Sequence, residues 1–212
     1  VVSCHVSGET ASVMLDAGNG MFQEVVDADR PFARCGPQGE RIAIAPFDPQ
    51  WCGPNSVDVH LGPMLKVYDM TDCVRVPDPV SGEWIAAIDP NNPPRTIDLP
   101  KVEGRSQWLL RPGIGYLGSI RERVECHAIV PYFDGRSSTG RLFVSLHQTA
   151  GRGDDGWGGF LTCEITVTHA ILIEPGSRLG QFTFHTLEGE RDPYHGRYAD
   201  QPAEPVPSRF HL

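Results

Sequence analysis

Three things are scarce in this 212-residue chain: long apolar runs, basic residues and sustained helical spacing. The absence of any stretch of about 18 apolar residues excludes a bilayer-spanning helix, and the N-terminus lacks the basic-then-apolar order of a secretion signal. A soluble, cytoplasmic protein without a membrane partner is expected. Lysine and arginine number 18 against 27 acidic residues, for a formal charge of −9 at pH 7. Nucleic acid needs a spread cationic surface, which such a chain does not offer, so an anion bound here must be small and held locally. The length suits one main domain with an elaborated end.

Cysteine pairs are also missing. The six cysteines, Cys4, Cys35, Cys52, Cys73, Cys126 and Cys163, are scattered with no C-x-x-C, the pattern of reduced structural thiols. Cys4-His5 and Cys126-His127 have no second pair at ligand spacing. The H-x-E with P-C-x-x-C signature of zinc-dependent nucleobase deaminases is absent as well, so neither a structural nor a catalytic zinc is expected.

What the chain has is punctuation. Its 23 glycines and 19 prolines separate short runs rich in Val, Ile, Leu, Phe and Thr, including "SVDVHLG", "RLFVSLH", "GFLTCEITVTHAILI" and "RLGQFTFHTL". Alternation within these runs predicts a mainly β protein, a distorted jelly roll or barrel with a few short helices. Only Ser12 to Phe32 has helix-like spacing, interrupted at Gly18 and Gly20, and a short helix is allowed there. The expected organisation is an N-terminal extension (1–43) packed on the core, a β domain (44–190) with a proline-dense surface excursion over 76–100, and a C-terminal segment (191–212). That segment ends in "QPAEPVPSRFHL", whose prolines forbid a central strand or helix interior and leave an extended arm, floppy or laid over a neighbour.

Four stretches carry chemistry. In "GRSSTGR", Gly135 to Arg141, small residues let backbone N–H groups approach an anion, serines donate to phosphoryl oxygens, and arginine forks match phosphate geometry. In "HQTAGRGDDGWGGFLTCE", Glu164 shares a strand face with Thr162 and Thr166 and points away from Cys163 and Ile165. If that face is the buried one, desolvation prepares the carboxylate for general acid–base work. Gln181, in "PGSRLGQF", offers an amide to read a base or brace a loop, and "DPYHGRYADQ" gathers Tyr194, Arg197 and Gln201 before the arm.

In order and spacing, "PNSVDVHLG", "DGRSSTGR", "TAGRGDDGWGG", "CE", "PGSRLGQ" and "PYHGRYADQ" followed by "PSR" resemble the dCTP deaminase family of the dUTPase-like trimeric fold, over roughly Ile44 to Arg209. The resemblance implies a homotrimer with active sites between subunits. It also implies nucleotide binding by Arg136, Ser137, Ser138, Thr139, Gly140, Arg141, Asp154, Thr162, Cys163, Glu164, Gln181, Tyr194, Arg197 and Gln201. Asp154 is the sugar-side aspartate in that comparison. Glu164 is the catalytic acid–base, supported by Ser137, Arg141 and Ala150, whose backbone helps place the attacking water. Arg197 stands where the family usually has lysine. Mg²⁺ is expected only with the triphosphate, dCTP and dUTP are the implied ligands, and dTTP is an implied inhibitor.

The implied reaction is zinc-free hydrolytic deamination at cytosine C4, coupled in one branch to hydrolysis to dUMP and pyrophosphate; "HQTAG" and Gln181 resemble that bifunctional branch. Gly153 stands where the family has isoleucine, Asp155 adds a charge, and Phe143 replaces a usual glycine. These departures leave open a modified cytosine as substrate or a regulatory trimer without catalysis. A plain dUTPase is disfavoured because its glycine-rich C-terminal motif is missing.

Overall fold

The computed structural model describes residues 40–210 in full and places strands at Val2–Ser7, Thr10–Leu15, Gln23–Val25 and Phe32–Cys35. Short β-branched runs between glycines and prolines pair almost entirely antiparallel, as hairpin-linked strands do. One sheet runs Ile129–Gly135, Arg178–Thr186, Val57–Tyr68, Tyr116–Ile120, Thr162–Val167 and Val144–Ser145, with Thr96–Asp98 paired to the far end of Val57–Tyr68. A second runs Gly158–Gly159, Arg123–His127, Arg41–Ala45, Phe32–Cys35 and Gln23–Val25. Together they make a near-closed barrel filled by Ile42, Ile44 and Val124 from the second sheet and Val59, Leu61, Phe133, Ile165 and Phe182 from the first.

Among the described residues, helix is confined to the single turn Ser137–Arg141 and two 3₁₀ turns, Pro49–Trp51 and Met70–Asp72. The helix allowed between Ser12 and Phe32 is corrected on its described parts: Thr10–Leu15 and Gln23–Val25 are strands, each hydrogen-bonded to a neighbouring strand. Ladder bonds outweigh weak helical spacing in a segment already interrupted by glycine. The rest of that segment, apart from Phe32 at the start of its strand, lies outside the described residues. The boundary expected at 43/44 falls within the strand Arg41–Ala45, which pairs with Phe32–Cys35 on one side and Arg123–His127 on the other. The proline-dense stretch carries a largely exposed hairpin, Val74–Pro77 with Trp84–Ala87, before Thr96–Asp98 rejoins the main sheet.

The strand Val57–Tyr68 is buried on both faces at its start, so its polar residues need internal partners. His60 finds one in Glu122, which is fully buried: Glu122 Oε2 accepts from the His60 backbone N–H at 2.9 Å, and Oε1 lies 2.8 Å from Nδ1. Asp58 is held between Arg136 Nε at 2.8 Å and Arg178 Nη1 at 3.5 Å. Glu122 ties the strand to the turn after Tyr116–Ile120, and Asp58 ties it to Arg136 and to the start of Arg178–Thr186.

Ile165 is fully enclosed in the core. Ile165→Ala is therefore expected to lower the unfolding free energy by about 2–5 kcal/mol through lost burial and the cavity left behind, measured by urea denaturation.

Candidate active site

Strand periodicity divides Thr162–Val167 into two faces: Cys163, Ile165 and Val167 enter the core, while Thr162, Glu164 and Thr166 are half-buried. The second face forms one wall of a cavity of about 590 Å³. Its other walls are the loop bearing Ala150, Gly151 and Asp154, the strand with Tyr116, and a lid of Tyr194, Tyr198, Gln201 and Val206. Glu164 was expected to be desolvated if its face were the buried one; its face is instead the half-open one, because the three more apolar residues of the alternation claim the core. Cys163, expected among the nucleotide-binding residues, has its side chain in the core with no exposure, and burial pushes its thiol up.

Glu164 is held by a residue that the motif reading did not single out. The Gln148 backbone N–H donates to Glu164 Oε2 at 3.1 Å, and Gln148 Nε2 donates to the Glu164 backbone carbonyl at 3.1 Å and to Thr166 Oγ1 at 3.3 Å. The loop 147–150, which carries Ala150, is thereby tied to the strand that carries the carboxylate.

The C-terminal arm, expected to be floppy or laid over a neighbour, lies against its own chain. Phe160 N donates to the Gln201 carbonyl at 3.0 Å, and Thr162 Oγ1 donates to Gln201 Oε1 at 2.9 Å and accepts from Val206 N at 3.0 Å. Ser119 Oγ donates to the Ala203 carbonyl at 2.6 Å, Lys66 pairs with Glu204, and Ser208 N donates to Tyr68 Oη at 2.9 Å. The prolines prevent regular pairing but do not prevent single hydrogen bonds from successive carbonyls and side chains. Tyr194, Asp154 and Ala150 line the cavity as well. Arg197 does not: its guanidinium donates to the Arg209 carbonyl at 2.9 Å, and Arg209 returns the bond to the Arg197 carbonyl at 2.6 Å.

Two of the three departures from the family pattern have packing explanations. Gly153 runs so close to Pro131 that a Cβ would lie 2.7 Å from its Cγ, so isoleucine does not fit this backbone path. Asp155 turns away from the cavity and is 5% exposed, accepting from Ala128 N at 2.6 Å and from Arg191 Nε and Nη2 at 2.8 and 3.0 Å. It anchors the start of the C-terminal segment rather than charging the pocket. Phe143 has φ +57°, a conformation that glycine adopts freely; its ring is exposed and meets His169 edge-on.

"GRSSTGR" is a helical turn rather than an open loop, closed by reciprocal bonds between Arg136 and Thr139: Arg136 N donates to Thr139 Oγ1 at 3.0 Å, and Oγ1 donates to the Arg136 carbonyl at 2.8 Å. Gln181 braces it, accepting from Ser56 Oγ at 2.9 Å and donating to the Gly135 carbonyl at 3.2 Å. Ser137, Ser138, Gly140 and Arg141 are exposed, and none of the residues 135–141 lines the Glu164 cavity of this chain. The sequence motifs thus fall into two groups, one at the cavity and one on an outer turn. Asp58 and Gln148 lie within the motifs "PNSVDVHLG" and "HQTAG" but have no individual role on sequence; a carboxylate inside an apolar run was the available signal for the first, and membership of "HQTAG" for the second.

Burial alone disfavours the Asp155 carboxylate, but the Arg191 fork, the Ala128 N–H and nearby His127 outweigh it and hold the carboxyl below its ordinary range. Because the folded value lies below the unfolded one of about 3.9, the anchor contributes fully above roughly pH 4 and is lost as the pH falls through the folded value. Asp155→Asn is expected to cost about 1–3 kcal/mol at pH 7 and distinctly less at pH 3, compared by urea denaturation at the two values.

Comparison with known proteins follows the same lines as the geometry. A family model described as dCTP deaminase-like matches residues 29–187. A "dCTP deaminase, dUMP-forming" of Leptospira biflexa is 40% identical over 79% of this chain and 87% of its own. Proteins of the same name from Cytophaga hutchinsonii and Clostridium beijerinckii are each 36% identical over 76% of this chain and 83% of theirs. Among solved structures, a 2'-deoxycytidine 5'-triphosphate deaminase from Agrobacterium tumefaciens superposes with TM-score 0.46 at 22% identity, covering 67% of this chain and 42% of that one. With well over half its length matched by the family model and relatives this similar over most of both chains, the chain belongs to the dCTP deaminase-like family.

Proposed function

We propose that this protein is a dUMP-forming dCTP deaminase, which converts dCTP and water to dUTP and ammonia and then hydrolyses dUTP to dUMP and pyrophosphate. The observation that carries the reading is the placement of Glu164: a carboxylate on the wall of a nucleotide-sized cavity, with Oε2 fixed by the Gln148 N–H and Ala150 on the adjoining loop. The names of the relatives support the same substrate and product.

Cytosine C4 accepts a nucleophile readily only when N3 is protonated or hydrogen-bonded. Glu164 takes a proton from the attacking water, delivers it to N3, and then moves a proton to the exocyclic nitrogen so that it leaves as ammonia. Such proton transfer supplies about 10²–10⁴ in rate, and holding water and base in line supplies much of the rest. Ala150 and the 147–150 loop, clamped to the catalytic strand, hold the water side. Asp154 meets the deoxyribose, and Gln201 with Tyr194 closes the lid. Zinc has no part in this scheme. Mg²⁺ would enter with the nucleotide, held by phosphate oxygens and water, and neutralise the triphosphate charge. Free nucleoside triphosphates place the enzyme in the cytoplasm.

The triphosphate-binding residues Arg136, Ser137, Ser138 and Arg141 come, in this proposal, from a neighbouring copy in a dUTPase-like trimer of jelly-roll subunits. The support is spatial: the turn lies outside its own subunit's cavity, and next to it Leu142 and Phe143 are 58% and 60% exposed, apolar surface that a partner would cover.

Incubation with dCTP and Mg²⁺, resolved by anion-exchange chromatography, is expected to give dUMP and pyrophosphate; dUTP alone would leave only the deaminase half, and no product would overturn the reading. Glu164→Gln is expected to abolish ammonia release while retaining nucleotide binding by calorimetry. Glu164→Gln and Arg141→Ala chains, each inactive alone, are expected to recover roughly one quarter of the wild-type sites when unfolded together and refolded at equal amounts. Failure of that mixture to regain activity, with trimers formed, would place both residues in one subunit's site.

A further inference from the structure

We infer that Gln148 reads the C4 amino group of the substrate base and presents to it only a hydrogen-bond acceptor. The inference rests on the deaminase reading of the Glu164 cavity and deepens it by naming the group that distinguishes an amino from an oxo pyrimidine.

A glutamine amide has two N–H donors and one acceptor oxygen, and the local partners decide which end faces where. Here the Glu164 backbone carbonyl lies 3.1 Å from one end of the amide. A carbonyl only accepts, so that end is the NH₂ group. The same nitrogen meets Thr166 Oγ1 at 3.3 Å, so both N–H groups are engaged by the catalytic strand. What Gln148 has left, on a residue that lines the cavity, is Oε1. The backbone N–H of the same residue holds Glu164 Oε2 at 3.1 Å, so the amide oxygen and the catalytic carboxylate move as one unit.

Cytosine carries a donor pair at C4, whereas uracil and thymine carry an acceptor oxygen there. An acceptor with no remaining donor, on the loop tied to the carboxylate that activates the water attacking C4, pairs with the first and finds no donor on the second. Gln148 therefore selects 4-aminopyrimidine nucleotides over their 4-oxo counterparts, orients the amine that becomes the leaving group, and loses its contact once the amine has gone.

The test uses the Glu164→Gln chain, in which nucleotides bind without turnover, and measures dCTP and dUTP affinities by calorimetry with Mg²⁺. This parent is expected to prefer dCTP by about tenfold, and adding Gln148→Met is expected to remove most of that preference by weakening dCTP while leaving dUTP within about twofold. Equal weakening of both nucleotides, with the ratio kept, would mean that Gln148 merely packs and would overturn the inference. A second measurement needs no further substitution: the 2-pyrimidinone deoxynucleoside triphosphate, which lacks the amine, is expected to bind the parent about tenfold more weakly than dCTP. Equal affinity would again overturn the role given to Gln148 while leaving the deaminase reading standing. If no nucleotide binds the parent at all, the deaminase reading fails and this inference with it.

Discussion

One strand in two environments organises this protein. Thr162–Val167 lies between Tyr116–Ile120 and Val144–Ser145, so its backbone is hydrogen-bonded on both sides and its residues cannot rotate between faces. Cys163, Ile165 and Val167 help close the core, and that burial fixes the opposite face, with Thr162, Glu164 and Thr166, toward the cavity. A slip of one residue would exchange the two sets, placing a carboxylate in the apolar core and an isoleucine at the site. The hydrophobic energy of the core and the position of the chemistry are therefore set by the same register.

Everything else at the site attaches to that strand. Thr162 receives the C-terminal arm through Gln201 and Val206, while Glu164 and Thr166 receive the loop carrying Ala150 through Gln148. The arm is also fixed at its start, where the buried Asp155 carboxylate clamps Arg191, and along its length by Ser119, Lys66 and Tyr68. Such hydrogen bonds are individually modest and easily exchanged for water, so the lid can be well placed and still release. The core contacts beneath it are not exchangeable in this way.

The outer turn Ser137–Arg141 obeys a different constraint. Its anchors face inward, through Arg136 on Asp58 and Gln181 on Gly135, leaving Ser137, Ser138 and Arg141 on the surface. A rigid base with free cationic and hydroxyl groups is what a triphosphate requires, because orientation is then settled before binding. The proposed trimer brings such a turn to a neighbour's Glu164 cavity and covers the apolar Leu142 and Phe143 in the same contact.

The sequence alone carried the β class, the order of the chemical motifs and the grouping of Glu164 with Thr162 and Thr166, since strand alternation and turn chemistry are properties of neighbouring residues. It left open what depends on distant partners. Whether the Glu164 face is buried, that Cys163 sits wholly in the core and that Arg197 pairs with Arg209 are decided by packing across the barrel and along the arm. The same holds for Asp155, which read as an added charge in the pocket until Arg191, 36 positions away, accounted for it. Gln148 was legible only as part of "HQTAG", because its contacts arise from a register that places it against Glu164, 16 positions on. Periodicity is written locally and survives in one dimension; the partner of a buried polar group is chosen only when the chain has closed on itself.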